Sequence, residues 1–141
     1  MILAQTDTTV GFLSQDAQKL YEIKSRELSK QFIKVYENFK AFIDDSNRVP
    51  LSQRGFVRRS KKTTFISKNQ AFRVANLKYN SQPLRDISWY YSTSANESDK
   101  NFNRNFCEEK TDIIIEDKFG LIEKNSSALI KINNLKRRKL R

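Results

Sequence analysis

The chain has 141 residues, a formal net charge of +11 and no histidine, which excludes zinc sites of the Cys/His type, histidine general bases and Ser-His-Asp catalysis. Its single cysteine, Cys107, excludes a disulfide within the chain. With 38% apolar residues, the composition predicts one domain over residues 1–135, followed by a basic segment, 136–141, that forms a tail or a last edge strand.

The charge of the chain indicates anionic partners. Five positive charges lie in the last six residues, Lys136 to Arg141, and the rest of the chain is basic as well. Such a chain attracts nucleotides, RNA or both. Residues 1–7 lack the basic and apolar parts of a signal peptide, and no apolar run is long enough to span a membrane. We therefore expect a soluble, cytoplasmic protein without a membrane partner.

In the first half of the chain, apolar spacing alternates between strand and helix patterns. The predicted elements are, in order, a strand at 2–4, a polar turn at 5–12 closed by Gly11, a helix that starts at its N-cap Ser14 and ends near 24–26, a strand at 31–36, a short helix at 39–43 and a helix at 50–59. Pro50 suits the first turn of the last of these helices.

The second half is richer in strands. The predicted elements are strands at 63–66 and 71–74, a turn at 80–83, one helical turn at 84–88, a strand at 87–91, a weak helix at 102–109, a buried strand at 113–115 and a strand at 128–132. Because strands and helices interleave, the sequence predicts an α/β fold with a mixed sheet. Cys107 is expected to be a small buried residue in the weak helix.

A polar motif, Ser92-Thr93-Ser94-Ala95-Asn96, follows the aromatic strand predicted at 87–91. Short hydroxyl and amide side chains at a strand end can hold phosphate oxygens, a ribose or an amino acid. Residues of the same types also form ordinary turns and helix caps. The motif alone therefore leaves a binding site and a simple turn as alternatives.

Together with other segments, this motif resembles the threonylcarbamoyl-AMP synthase family of YrdC-like proteins. The segments that resemble the family are, in order, Gln5-Thr6-Asp7-Thr8-Thr9-Val10-Gly11, Lys24-Ser25-Arg26, Lys62-Thr63-Thr64-Phe65-Ile66, Ser92-Thr93-Ser94-Ala95-Asn96, Glu116-Asp117-Lys118-Phe119-Gly120, Ser126-Ser127-Ala128 and Lys139-Leu140-Arg141. Their order and spacing cover nearly the whole chain, as in a short and divergent member.

The resemblance implies a fold and a reaction. The fold is an open, twisted mixed sheet with flanking helices around a positively charged cavity. The reaction joins L-threonine, bicarbonate and ATP, with Mg²⁺ accompanying the ATP, into threonylcarbamoyl-AMP and pyrophosphate. A separate transferase would then modify an adenosine of tRNA. The resemblance implies no metal bound by the protein itself.

The resemblance also assigns roles to individual residues of this chain. Lys24 and Arg26 would be the catalytic cations that hold the phosphates and the carbamate. The expected ATP contacts are Arg26, Thr64, Asn96 and Arg141. The expected threonine contacts are Thr6, Lys68, Ser94 and Ser126, although Ser127 is equally close to the family pattern.

The sequence also departs from the family pattern. Gln5 replaces a proline, Val35 stands where the family often has a threonine-contacting histidine, and only three glycines remain. The alternative hypothesis is therefore a non-catalytic YrdC-like protein that binds tRNA or double-stranded RNA. Its expected surface is the basic cluster Arg54, Arg58, Arg59, Lys61 and Lys62 together with the basic segment 136–141.

Overall fold

The computed structural model describes residues 1–25, 27, 29–75, 84, 87–97, 100–116 and 118–141. These residues form nine strands: β1 (Ile2–Gln5), β2 (Val10–Ser14), β3 (Ile33–Tyr36), β4 (Thr63–Ser67), β5 (Gln70–Val74), β6 (Trp89–Ser94), β7 (Ile113–Ile115), β8 (Ala128–Ile132) and β9 (Arg137–Lys139). They also form four helices: α1 (Ala17–Lys24), α2 (Phe39–Asp44), α3 (Leu51–Arg59) and α4 (Arg104–Glu109). None of these helices is long and apolar enough to cross a membrane.

All nine strands belong to one sheet, in the order β7-β1-β2-β6-β3-β5-β4-β8-β9. The pairs β1–β7, β3–β5 and β4–β8 are parallel, and the other five are antiparallel. The predicted α/β fold with an open mixed sheet is therefore confirmed.

The register assigns side chains to the two faces of the sheet. Phe65 pairs with Phe72, Phe72 is level with Lys34, and Lys34 pairs with Tyr91, so these side chains share one face. We call it the helix face, because α1 to α4 pack there. The side chains between them along the strands point to the opposite face, which we call the loop face.

Two apolar clusters cover the helix face. The first cluster contains Phe12, Leu20 and Cys107, and joins α1 and α4 to β1 and β2. The second contains Phe42, Val57 and Phe72, and joins α2 and α3 to β3, β4, β5 and β8. On the loop face, a third cluster packs Ala75, Leu84 and Ile87 against residues of β1, β2, β3 and β6.

Helix α1 begins two residues later than the N-cap predicted at Ser14. Its N-cap is Asp16, whose carboxylate accepts a hydrogen bond from the backbone N–H of Gln18 at 2.9 Å. Ser14 still pairs with Tyr91 as the last residue of β2, and its hydroxyl accepts the backbone N–H of Asp16. The prediction failed because Val10 to Leu13 are all buried, so β2 lacks the alternation that reveals a strand.

The predicted polar motif is also placed differently. Strand β6 runs through Ser92 and Thr93 to Ser94, so only Ala95 and Asn96 lie beyond the strand. Ser94 pairs with Gly11 of β2. The strand predicted at 87–91 was therefore too short, because alternating hydroxyl residues inside a strand resemble a turn.

Strand β7 was predicted to be buried, and this was wrong. Ile113 is 52% and Ile114 42% exposed, because β7 pairs only with β1, at the edge of the sheet. A short apolar run does not reveal whether both sides of a strand are covered. At the opposite edge, Arg137–Lys139 form β9 beside β8. The turn predicted at 80–83 and part of the helical turn at 84–88 lie outside the described residues.

Candidate active site

Lys24, at the end of α1, holds the segment that follows β6. Its side chain crosses to this segment, and its ammonium group donates to the carbonyl oxygens of Ser94 and Asn96, at 3.3 and 2.6 Å, and to Oδ1 of Asn96, at 2.7 Å. Lys24 is only 7% exposed, so these oxygen atoms take the place of water around its ammonium group. Lys24 therefore fixes the path of the chain from Ser94 to Asn96.

The side chains of Ser94 and Asn96 are joined directly. The hydroxyl of Ser94 donates to Oδ1 of Asn96 at 2.7 Å, and Nδ2 of Asn96 donates to the carbonyl of Lys100. Oδ1 of Asn96 thus accepts from both Ser94 and Lys24, which settles the orientation of the amide. The predicted residues Lys24, Ser94 and Asn96 form one hydrogen-bonded group.

Cys107 of α4 contacts the segment that joins Ser94 to Asn96. Its thiol donates to the carbonyl of Ala95 at 3.3 Å, so α4 is tied to the same segment. Burial raises the pKa of the Cys107 thiol, which keeps it protonated and able to donate. The expectation of a small buried cysteine is confirmed, and its contacts are structural.

Thr6 lies in a turn that packs close to Ser94. Its hydroxyl donates to the carbonyl of Thr9 at 2.7 Å and accepts the backbone N–H groups of Thr8 and Thr9 at 3.2 Å. Gly11 of β2 lies between this turn and β6. A Cβ there would be in ordinary contact, 3.6 Å, with Cγ2 of Thr6 but only 3.0 Å from the carbonyl oxygen of Thr93. Thr6 therefore lies beside Gly11, whose partner on β6 is Ser94.

Arg73 is a residue that the sequence analysis missed. It lies on β5 with 4% exposure, and its guanidinium group donates to the hydroxyl of Thr8 at 2.8 Å and contacts Asp7 at 3.1 Å. Nε of Arg73 and the nearby hydroxyl of Tyr90 have no hydrogen-bond partner among the described residues. A single arginine in the apolar run Ala71-Phe72-Arg73-Val74 was the signal that could have revealed it.

Thr64 and Arg141, two residues with predicted ATP contacts, are joined through Ser127. The hydroxyl oxygens of Thr64 and Ser127 are buried and share a hydrogen bond of 2.8 Å. Arg141 donates from Nε and Nη2 to the carbonyl of Ser127, at 3.3 and 3.2 Å. Ser126 is exposed, whereas Ser127 makes the contacts. Of the two neighbouring serines considered in the sequence analysis, Ser127 is the one joined to this group.

The register brings these groups to one face of the sheet. Thr64 precedes Phe65 and Arg73 follows Phe72, and since Phe65 and Phe72 pair on the helix face, Thr64 and Arg73 share the loop face. Arg73 in turn reaches Thr8 in the turn that contains Thr6. The loop face thus has cations and short hydroxyl groups close together, an arrangement suited to phosphate and carboxylate oxygens.

Among the described residues, Lys68 lies away from this arrangement. Lys68 occupies the exposed turn between β4 and β5, with φ of 48°, and lines a cleft on the helix face. Arg26 lies outside the described residues. Among the described residues, no group of three or more Cys, Asp or Glu side chains could hold a metal ion.

Comparisons with known proteins show the fold of this chain. No protein-family model and no curated protein matches the sequence. Among solved structures, MTH1692 from Methanobacterium thermoautotrophicum is similar over 99% of this chain and 78% of its own, with a TM-score of 0.70 and 19% identity.

Two structures of Sua5 from P. abyssi are similar as well. The complex with L-threonine has a TM-score of 0.74, and a double variant has a TM-score of 0.71, each at 16% identity over 99% of this chain. The chain spans about half the length of Sua5, 49% and 51% in the two structures. These neighbours are Sua5/YrdC-family proteins, so the chain has a YrdC-like fold.

Proposed function

We propose that this YrdC-like domain is an L-threonylcarbamoyladenylate synthase that supplies the modification of tRNA to threonylcarbamoyladenosine. The observation that carries the proposal is the hydrogen-bonded group of Lys24, Ser94 and Asn96 beside the Thr6 turn. Its support is that these side chains belong to three distant segments, all of which resemble the family. The fold it shares with an L-threonine complex of Sua5 adds further support.

The proposed reaction has two steps. The amine of L-threonine combines with bicarbonate to give a carbamate and water, and a carbamate oxygen then attacks the α-phosphorus of ATP. The bond from that phosphorus to the bridging oxygen breaks, and pyrophosphate leaves. Such chemistry depends on positioning and on cations around the phosphates. Mg²⁺ would enter with ATP, whose phosphate oxygens are its natural ligands.

The contacts suggest how the proposed roles are divided. Ser94 and Thr6 would contact threonine, and Asn96, Thr64 and Arg141 would contact ATP. Arg73 adds a buried cation to the loop face that can offset developing negative charge. Lys24 would act through Asn96 as a positioning residue, because Asn96 and Ser94 accept its hydrogen bonds. The roles of Arg26, Lys68 and Ser126 stay predictions.

The test is direct synthesis. Purified protein is incubated with Mg²⁺, ATP, L-threonine and bicarbonate, and threonylcarbamoyl-AMP is sought by mass spectrometry, with threonine omitted as a control. We expect threonine-dependent product that falls at least about a hundredfold in Asn96→Ala, in line with losses of well-placed polar groups. The matched variant Asn105→Ala, on the exposed surface of α4, should keep its activity. Folded protein that makes no product would contradict the proposal.

A second candidate function is RNA binding, which two contacts of Arg137 favour. Arg137 of β9 donates to the side chain of Gln53 in α3 at 2.6 Å, and its guanidinium lies 4.1 Å from the ring centre of Phe56. These contacts tie the basic strand β9 to α3, whose last turn contains Arg58 and Arg59. The contacts place β9, at the edge of the sheet, beside α3, and the exposed cations of the two elements would together face a phosphate backbone.

A further inference from the structure

A cleft of about 630 Å³ opens on the helix face, on the opposite side of the sheet from the loop-face residues Thr64 and Arg73. It lies where the first apolar cluster, represented by Phe32, meets the second, represented by Phe42 and Phe72. The cleft belongs to the size range of small-molecule sites, roughly 300–1,000 Å³. Of the described residues given a role in the proposed synthase reaction, only Lys68 lines it.

The walls of this helix-face cleft are aromatic. The rings that line it are Tyr21, Phe32, Tyr36, Phe42, Phe72 and Tyr91. Several rings pack against one another within their own cluster, such as Tyr21 with Phe32 and Phe42 with Phe72. Neighbouring rings hold these walls in place, and a planar ring system can stack against them.

The polar lining of the cleft has more positive than negative charge. The cations are Lys34, Arg48 and Lys68, and the single carboxylate is Asp45. Lys34 donates to Asp45 at 2.7 Å, and Asp45 also accepts from the hydroxyl of Tyr36 at 2.6 Å, so this acid is already neutralised. Arg48 and Lys68 are exposed. They leave a net positive charge at the mouth of the cleft.

The chemistry of the lining narrows the class of ligand. A purely apolar ligand would leave Arg48 and Lys68 without a counter-charge, and an inorganic anion alone would leave the aromatic walls unused. A nucleoside phosphate meets both requirements, and the amides of Gln31, Asn47 and Gln70 in the lining can pair with the edge of a base. We propose that the helix-face cleft is a second binding site, which takes a nucleoside phosphate with its base between the rings and its phosphate at Arg48 and Lys68.

Trp89 offers a local reporter of this binding. It is the only tryptophan in the chain, and its ring lies 3.8 Å from Nζ of Lys34 and 5.5 Å from the ring of Tyr91, both of which line the cleft. AMP is titrated while the emission of Trp89 is followed. Adenosine and inorganic phosphate are titrated separately, and a penta-adenylate RNA tests whether the nucleotide belongs to a single strand.

We expect AMP to cause a saturable change in Trp89 emission. AMP should bind at least about tenfold more tightly than adenosine or phosphate, because only AMP uses both parts of the cleft. Tighter binding of penta-adenylate than of AMP would identify an RNA nucleotide as the source, and the reverse would identify a free nucleotide. Either result supports the proposal. No change in Trp89 emission with AMP or RNA overturns it.

Variants separate the cleft from the loop face and from non-specific attraction. Arg48→Glu should weaken the binding of AMP about tenfold or more. Lys40→Glu, an equal change of charge outside the cleft, should change the affinity for AMP by no more than about twofold. Asn96→Ala should leave the Trp89 response intact even if it abolishes synthesis. Equal weakening by both charge variants, or loss of the response in Asn96→Ala, would overturn the proposal. Thermal unfolding of each variant confirms that it is folded.

Discussion

The ammonium group of Lys24 shows how much one side chain can hold together at the scale of a residue. It has three protons to donate, and three oxygens of Ser94 and Asn96 lie within 3.3 Å of it. Removing the lysine takes the donor from the partly buried carbonyl oxygens of Ser94 and Asn96, while Oδ1 of Asn96 keeps the hydroxyl of Ser94. The resulting loss has two parts, one in stability and one in the geometry of Asn96.

We expect Lys24→Ala to lower the free energy of unfolding by about 1–3 kcal/mol, because it removes hydrogen bonds from a charged donor. Urea unfolding measures it, with Lys19→Ala as the control, because Lys19 lies exposed on the same helix. The control should change stability by no more than about 0.5 kcal/mol. Wild-type stability in Lys24→Ala would contradict the contacts described here.

Tyr90 links a single hydroxyl to the pH dependence of stability. Burial raises its pKa from 10.0 to about 12, although the nearby charge of Arg73 opposes this. The folded protein holds the Tyr90 proton more tightly than the unfolded chain does, so the protonated hydroxyl makes its full contribution to the free energy of unfolding below pH 10. This contribution is lost as the pH rises from 10 towards 12.

We therefore expect Tyr90→Phe to lose less stability than the wild type between pH 9 and pH 11.5. At neutral pH the variant should be as stable or more stable, because the hydroxyl it removes has no hydrogen-bond partner among the described residues. Free energies of unfolding at both pH values decide this, with Tyr91→Phe as the control for loss of a hydroxyl on the same strand. An unchanged alkaline loss in Tyr90→Phe would refute the assignment.

At the scale of elements, the success of sequence prediction followed the clarity of each local signal. The end of α1 at Lys24 and the start of α3 after Pro50 have strong terminal signals. The first was predicted to lie within 24–26, and the second was placed correctly to within a residue. Strand β2 was missed because both of its faces are buried, and β7 was misjudged because burial depends on neighbours that lie far away in the chain. Local sequence patterns identify helices and strands. Whether each face of a strand is buried depends on the whole sheet and on what packs against it.

We expect the substitution of glycine by alanine to change stability in opposite directions at Gly11 and Gly55. In β2, a Cβ on Gly11 would meet a backbone oxygen at 3.0 Å, so Gly11→Ala must displace the sheet and should destabilise by about 1–3 kcal/mol. In α3, a Cβ on Gly55 would meet only the flexible end of Arg59 at 3.4 Å. Gly55→Ala should therefore stabilise by about 0.5–1 kcal/mol through helix propensity.

Thermal or urea unfolding of the two variants, each compared with the wild type, measures both effects. Each variant is the control for the other, because both replace a glycine by an alanine. Destabilisation of similar size at both positions would mean that the close approach of Gly11 to the carbonyl oxygen of Thr93 does not set the requirement at Gly11.

At the scale of the whole molecule, the order of the strands is what the sequence did not predict. Local patterns placed Arg73 on a strand, but only the sheet brings it to Thr8, 65 residues earlier in the chain. The grouping of Lys24, Ser94 and Asn96 was expected from a family resemblance, since no periodicity links residues that are 70 positions apart. Residue types and elements were predictable, and their meeting points required the fold.

The basic surface of α3 and β9 leads to a prediction for the intact molecule. If it binds RNA, the logarithm of affinity should fall with the logarithm of salt concentration by about 0.7–0.9 for each phosphate contacted. Arg138→Ala, in the exposed strand β9, should reduce that slope by about 1, while Lys110→Ala, beyond the end of α4, should not. Titrations with a labelled tRNA at several salt concentrations test this, and a flat salt dependence rejects RNA binding at this surface.

The parallel pairing of β1 with β7 has a consequence for the order of folding. Ile2 is level with Ile113, and Thr64 of β4 is level with Leu129 of β8, so both pairs join segments made at very different times during synthesis. Contacts so distant along the chain are closed late and make folding slow. Ser127 lies directly before β8, so its hydroxyl can meet Thr64 only after the chain has been made up to this strand. A nascent chain that ends before this strand would therefore expose an apolar sheet edge, and would rely on chaperones until synthesis is finished.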